Sequence, residues 1–216
     1  MPVPTPRARR PRRLALEPDA HERLLRAAIE LFERKGYAST SVREIVERAG
    51  VAKPGLYYYF KSKDGILIAG LDLAVAELDR VLSRVAAAPG SARVRLAEIS
   101  ERLLVGSRSR ASLVRVASAA FFSPRESVPP FDFRVFDRTV LRHLRRVVTD
   151  GVASGEIRPS AARDTLHAMQ GVLMLAIGQH ADGRPETVGP RDMRRLVDLV
   201  FDGAGVAPRL GKGASS

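Results

Sequence analysis

Residues 41–60 restrict the fold of this chain more than any other stretch. Ser41-Val42-Arg43-Glu44 is a capping box: the serine oxygen can accept from the Glu44 amide while the glutamate side chain returns to the serine amide. A helix therefore starts at Ser41. Val42, Ile45, Val46 and Ala49 give it an apolar stripe, and Gly50 stops it after a few turns. A second short helix follows Gly50-Val51-Ala52, with Pro54 in its first turn and Leu56 and Phe60 on its inner side. Two short helices around a glycine-containing corner form a helix-turn-helix. Ahead of them, Glu17-Pro18-Asp19 opens a helix carrying Leu25, Ala28, Ile29 and Phe32 on one face, and Gly36 ends it. The spacing predicts a three-helix head.

The remainder also reads as helices. Ile66, Leu67, Leu71, Val75, Leu78, Val81, Leu82 and Val85 recur at helical spacing, predicting a long helix that ends before Pro89-Gly90. Further helices are predicted from Ser91 to about Val105, Ser109 to Phe122, Asp132 to Ala153, Ser160 to Ala181 and Pro190 to Asp202, with a breaker-rich loop from Pro124 to Pro130. The expected fold is all-α, with about nine helices. Its expected parts are a basic arm at 1–16, a helix-turn-helix domain at 17–63, a larger helical ligand-binding and dimerisation domain at 64–204, and a tail at 205–216.

Composition narrows the function. Among 216 residues the formal charge is +12, which favours a polyanionic partner because Lys and Arg that neutralise phosphates release counterions. Residues 1–16 hold Arg7, Arg9, Arg10, Arg12 and Arg13, no acid and four prolines, so an arm without its own fold is expected. It is either a solvated leader or a segment reaching phosphates or the minor groove. The absence of Cys excludes disulfides, thiolate metal sites and a cysteine nucleophile. His21, His143, His167 and His180 show no metal-ligand spacing, and no glycine-rich phosphate loop follows a strand. No cofactor, metal or catalytic group is expected. With no apolar run of spanning length and no leader-type apolar segment, the expected compartment is the cytoplasm.

Gly36-Tyr37, Thr40-Ser41-Val42-Arg43-Glu44-Ile45, Ala49-Gly50-Val51 and Lys53-Pro54-Gly55-Leu56-Tyr57-Tyr58-Tyr59-Phe60-Lys61-Ser62-Lys63 closely resemble the TetR family of bacterial regulators. The resemblance covers about the first third of the chain. Beyond it only length, helical pattern and the Ser154-Gly155-Glu156-Ile157-Arg158-Pro159 break are similar. Two positions depart from the family pattern: Ala52 stands where Ser or Thr is common, and Tyr59 where His is common.

A recognition helix meets base edges with its N-terminal residues, here Lys53, Pro54 and Gly55, the glycine permitting close approach. Lys53 can donate to guanine, and Arg43 matches a family position able to reach a base or phosphate. Tyr57 and Tyr58 follow on the outer side, and the resemblance places Lys63 at a phosphate. Thr40 and Ser41 offer hydroxyls to the backbone, Ser41 in addition to its cap. Tyr59 is expected in the core and Lys61 in solvent.

Five of the eight Phe lie around the Pro124–Pro130 loop, lining a pocket or closing the core. Phe121, Phe122, Phe133 and Phe136, with His167, Gln170 and Met174, are the pocket candidates. Leu166, Met169, Leu173 and Ile177 on one late helix, and Met193, Leu196, Val197 and Val200 on the last, form stripes expected to pair with a second copy as a four-helix bundle, the alternative being burial within one subunit. The leading expectation is a homodimeric repressor released from near-palindromic double-stranded operator DNA by a mainly apolar effector. An activator or ligand-independent regulator is the alternative, and a helical-bundle enzyme or carrier a remote one.

Overall fold

A computed structural model of the chain describes residues 19–110, 114, 131–181 and 188–202. The helices are α1 (Ala20–Lys35), α2 (Val42–Ala49), α3 (Lys53–Phe60), α4 (Lys63–Ala87), α5 (Ala92–Ser109), α6 (Arg134–Ala153), α7 (Ala162–Ala181, preceded by a 3-10 turn at Pro159–Ala161) and α8 (Pro190–Asp202). No strand occurs among the described residues. The architecture is all-α, as the periodicity requires. The arm at 1–16, the opening Glu17-Pro18, the predicted helix through Phe121 and Phe122, the loop after it and the tail lie outside the described residues, apart from Ser109, Arg110 and Val114.

Contacts divide the chain into two compact units, residues 1–70 and 71–216. In the first, α1 packs on α2 and α3, and α2 on α3. Leu24, Ile45 and Leu56 are wholly buried, with Phe32 and Phe60 almost so. These are the inward positions of three short amphipathic helices, none of which would be stable alone at its length.

In the second unit α5 packs against α6, α7 and α8, and α7 also packs against α6 and α8. The core includes Leu82, Leu96, Ile99, Leu104, Leu144, Val147, Met169, Leu173, Met193 and Val197. Ser91 caps α5 by accepting from the Val94 amide at 3.2 Å. Glu156 adds to that cap, accepting from the Ala92 amide at 2.7 Å. Arg95, largely buried, donates to the Ala86 carbonyl and to Asp150, both at 2.8 Å, and so ties the end of α4 to α5 and α6. Helix α5 extends past the expected end at Val105 because neither Gly106 nor Ser107 breaks it. The Ser107 hydroxyl satisfies the Leu104 carbonyl at 2.8 Å, and the Arg110 amide bonds to Gly106.

Where α5 and α6 cross there is no room for a side chain at Gly151. A Cβ there would stand 2.7 Å from Ala92 Cβ and 2.8 Å from Ile157 Cδ1. In an open helix, Gly→Ala gains about 1 kcal/mol. Here the Ala92 methyl is fixed to its backbone, so overpacking of about 1–3 kcal/mol reverses the sign. Gly151→Ala is expected to lower the urea midpoint of the second unit, and a raised midpoint would contradict this packing.

Candidate nucleic-acid interface

The α2–α3 corner is built as the capping pattern dictates. Ser41 Oγ accepts from the Glu44 amide at 3.3 Å, and Glu44 Oε2 accepts from the Ser41 amide at 2.9 Å. Gly50 closes α2 in the left-handed region, φ +63°, a conformation costly for any residue with a Cβ. Helix α3 starts from Ala52 without a side-chain cap, and Pro54 occupies its first turn. Pro54 carries no amide proton and the Gly55 amide bonds to the Ala52 carbonyl at 2.8 Å, so the start of α3 does without a hydroxyl at position 52.

Glu44 has a second partner, the Lys35 ammonium at the end of α1. The hydrogen bond from Lys35 first, and those from Ser41 after it, hold the Glu44 carboxyl down at about 2 from its ordinary 4.5. A depressed carboxylate contributes stability above its unfolded pKa and loses it as pH falls through the folded one. The α1–α2 packing should therefore weaken between about pH 4.5 and 2. Glu44→Gln should flatten the thermal midpoint over that range, and an unchanged acid slope would refute the assignment.

On α3, Leu56 and Phe60 face the core while Lys53, Pro54, Tyr57 and Tyr58 are exposed. The Lys53 ammonium sits 6.0 Å above the Tyr57 ring, and Lys61 sits equally far above Tyr58. Arg43 on α2 is also exposed, its guanidinium donating to Glu47 at 2.7 Å. Ser41 is exposed as well as capping. The exposed side chains of the corner thus include two lysines, an arginine, two phenols and a serine, a donor set suited to phosphate and base edges. Tyr59 is half-buried, edge-on to His21 at 5.6 Å. His21 is exposed, yet its ring stacks on Phe60 at 4.7 Å and anchors the start of α1 to α3.

Three expected contacts are placed otherwise. Thr40 is buried and its hydroxyl donates to the Gly36 carbonyl at 2.8 Å, so it closes the α1–α2 turn and offers nothing outward. Gly55 is buried too. A Cβ there would meet Val51 Cγ1 at 2.7 Å, so the glycine admits Val51 beneath α3 instead of a ligand above it. Lys63 turns inward: its ammonium donates to the carbonyls of Tyr37 at 3.1 Å and Thr40 at 3.0 Å and lies 4.2 Å over the Tyr37 ring.

Beside it the Tyr37 hydroxyl donates to Asp64. Burial first and that carboxylate second raise the Tyr37 pKa, so the phenol keeps its proton. A Cβ at Gly65 would fall 1.8 Å from the Phe60 carbonyl oxygen, so only glycine lets α4 start this close to the end of α3. Lys63, Asp64, Tyr37 and Thr40 form a latch that sequence spacing did not reveal. Its signals, Tyr37 before Thr40 and Lys-Asp opening α4, carry no periodicity.

Residues 24–69, spanning α1 to the start of α4, match the family model described as bacterial regulatory proteins, tetR family. Over these residues the chain carries the TetR-family segment. The HTH-type transcriptional regulator EthR of Mycobacterium tuberculosis is 34% identical over 84 residues, covering 39% of this chain and 38% of EthR. The transcriptional regulator AcuR of Cereibacter sphaeroides is 43% identical over 58 residues, 27% of this chain and 26% of AcuR. These matches span well under half of each curated relative. Likeness over the greater length is in fold. A TetR/AcrR regulator from Thermobifida fusca aligns with TM-score 0.61 at 28% identity, covering 87% of this chain and all of that one. Bacillus subtilis FadR, solved with stearoyl-CoA, aligns with TM-score 0.66 at 20% identity, covering 86% and 100%.

The TetR fold's second unit corrects the expected pocket and dimer surfaces. Phe133 is buried and Phe136 half-buried, each in ring contact with Phe131 at 5.0 and 6.2 Å. Gln170 is half-buried and donates to Asp137 at 3.2 Å. His167 and Met174, in contrast, are exposed and line no interior. Met169, Leu173, Met193 and Val197 belong to the subunit's own core, with Leu166, Ile177 and Leu196 packed against it and Val200 half-buried. The stripes read as an interface thus face inward, because the stripe of a surface helix fills its own core first. Met174, Leu175 and Leu199 on the outer sides of α7 and α8 remain 48–58% exposed. Among the described residues no helix is long and apolar enough to cross a membrane, and no group of three His, Asp or Glu could hold a metal.

Proposed function

We propose that this TetR-family chain is a cytoplasmic, non-enzymatic transcriptional regulator: a homodimer that represses from a near-palindromic operator and is released by a small, mainly apolar effector. The observation that carries the reading is the outer face of the capped corner, where Lys53, Pro54, Tyr57 and Tyr58 on α3 stand with Arg43 and Ser41 on α2. They are held clear of a core that already consumes Leu56 and Phe60. Lys53 reads a base edge while its charge offsets a flanking phosphate, and Tyr57 and Tyr58 bind phosphates.

Dimerisation is supported by the outward Met174, Leu175 and Leu199, large apolar side chains on two neighbouring helices that stay about half exposed. A second unit larger than the head, and the stearoyl-CoA bound by the fold neighbour FadR, support release by an effector. The proposed domain plan is a head at 17–63, a larger effector and dimer domain at 64–204, a basic arm at 1–16 and a tail at 205–216; the compact units themselves part after Gly70.

Footprinting on DNA flanking the gene tests the reading. Protection of a two-fold symmetric site overlapping the promoter supports repression. Protection only upstream of the promoter would turn the reading to activation, and no protected site would end it.

A further inference from the structure

Asp79 on α4 and His143 on α6, both in the second unit, form a pair that the DNA-reading surface does not use. His143 Nε2 lies 2.6 Å from Asp79 Oδ1, and the Arg142 guanidinium donates to the same oxygen at 2.6 Å. The histidine side chain is 7% exposed while Asp79 and Arg142 reach solvent. The other ring nitrogen, Nδ1, is buried and meets no hydrogen-bond partner among the described residues. Buried polar atoms without a partner are uncommon and call for an explanation. An alanine or leucine would fill this place without leaving one.

Asp79 determines what that nitrogen can do. In the neutral ring the carboxylate places the proton on Nε2 and fixes the ring plane, leaving Nδ1 as a pure acceptor. Arg142 already balances the Asp79 charge. Along α6 the buried neighbours of His143 are Thr139, Leu144 and Val147, and Leu144 and Val147 belong to the apolar core. The atom is therefore an oriented, buried acceptor on a helix whose neighbouring Leu144 and Val147 are apolar core, and binding sites fix a ligand's orientation with a few polar groups placed in mainly apolar linings.

We infer that His143, held by Asp79, is the polar anchor of an effector site in the second unit, and that the effector is an apolar molecule bearing a hydroxyl or other neutral hydrogen-bond donor, delivered to Nδ1. This rests on the effector-released reading above and deepens it. It also sets the ligand class apart from simple hydrocarbons and from carboxylates, since neither has a proton to give to the acceptor nitrogen of the neutral ring.

The test uses the full chain labelled with 15N-histidine and the matched probes 1-naphthol and naphthalene. His143→Phe assigns the His143 signal, and its melting curve confirms folding. Asp79→Asn leaves the imidazole in place but no longer fixes its proton, so it keeps the test valid if His143→Phe does not fold. The free protein is expected to show an Nδ1 resonance of a bare nitrogen. 1-Naphthol should move it to the hydrogen-bonded position and bind about tenfold more tightly than naphthalene, and Asp79→Asn should erase most of that preference.

Equal affinity for the two probes, no binding of 1-naphthol up to its solubility limit, or an Nδ1 signal already hydrogen-bonded in the free protein would overturn the inference. In the last case a trapped water meets the atom. A separate DNA-release assay keeps the two readings distinct. Naphthol that moves the Nδ1 signal without releasing DNA defeats the release model alone, whereas release by another compound that leaves Nδ1 untouched defeats the anchor alone.

Discussion

Leu175→Glu is expected to convert the protein from dimer to monomer and to lower operator affinity by roughly 10³-fold, the lower end of the gap between specific and non-specific binding. Leu175 is 58% exposed on α7, with Met174 beside it and Leu199 exposed on α8. None of the three contributes to the subunit core, so a charge at 175 leaves the monomer fold intact. Across an interface it brings two like charges into an apolar contact, which costs several kcal/mol. A single head then holds one half-site and loses the gain from binding two at once. Sedimentation velocity at micromolar concentration gives the first readout and fluorescence anisotropy on operator DNA the second. Leu173→Ala is the contrasting case. Leu173 is buried in the same helix, so its truncation lowers the melting temperature by a cavity cost of about 2–5 kcal/mol while the protein that remains folded stays dimeric.

The latch at the start of α4 predicts an unusual pattern for Lys63. If its ammonium bound a phosphate, Lys63→Gln would weaken binding and reduce the salt slope by about one. In this structure that ammonium is already committed to the Tyr37 and Thr40 carbonyls. Its removal takes a donor from the Thr40 carbonyl, leaves the Tyr37 carbonyl with the Thr40 amide at 3.2 Å, and loosens the α1–α2 turn, at about 1–3 kcal/mol of head stability. Operator affinity is expected to fall roughly tenfold or more, with the slope of log K against log salt unchanged. Lys53→Ala should do the reverse, losing affinity together with about one unit of slope. A reduced slope for Lys63→Gln would return this residue to the DNA surface. Asp64→Asn, which weakens only the Tyr37 arm of the latch, should give a smaller loss with the same slope.

Much of the head was legible because local rules coincide there. The Ser41–Glu44 box, the Gly50 stop, the Pro54 start and the Leu56 and Phe60 spacing each act over four residues or fewer, and each reappears as a measured bond or a buried side chain. What the sequence concealed are groups whose partners lie far along the chain. Thr40 and Lys63 are 23 residues apart, and nothing in their spacing says that the lysine turns inward. His143 and Asp79 are 64 apart and were unremarkable singly.

Helices α7 and α8 misled for another reason. Where a helix is apolar on more than one face, as α7 is, periodicity cannot say which face meets the subunit's own core and which meets a partner. Met169 and Leu173 went inward and Met174 and Leu175 outward. Gly55 was read by its lack of a side chain as a place for DNA to approach, whereas the neighbour it admits is Val51.

The central claim, that the exposed face of α2 and α3 reads DNA, is tested most directly by the salt dependence of binding to DNA from upstream of the gene. Wild type is compared with a Lys53→Ala, Tyr57→Phe double variant. Both positions are exposed, so the variant should melt as the wild type does. The account predicts saturable, sequence-specific binding by the wild type. It predicts a loss of roughly a hundredfold in the variant, with a slope lower by about one for the missing lysine. Equal affinity and equal slope in the two proteins would contradict it.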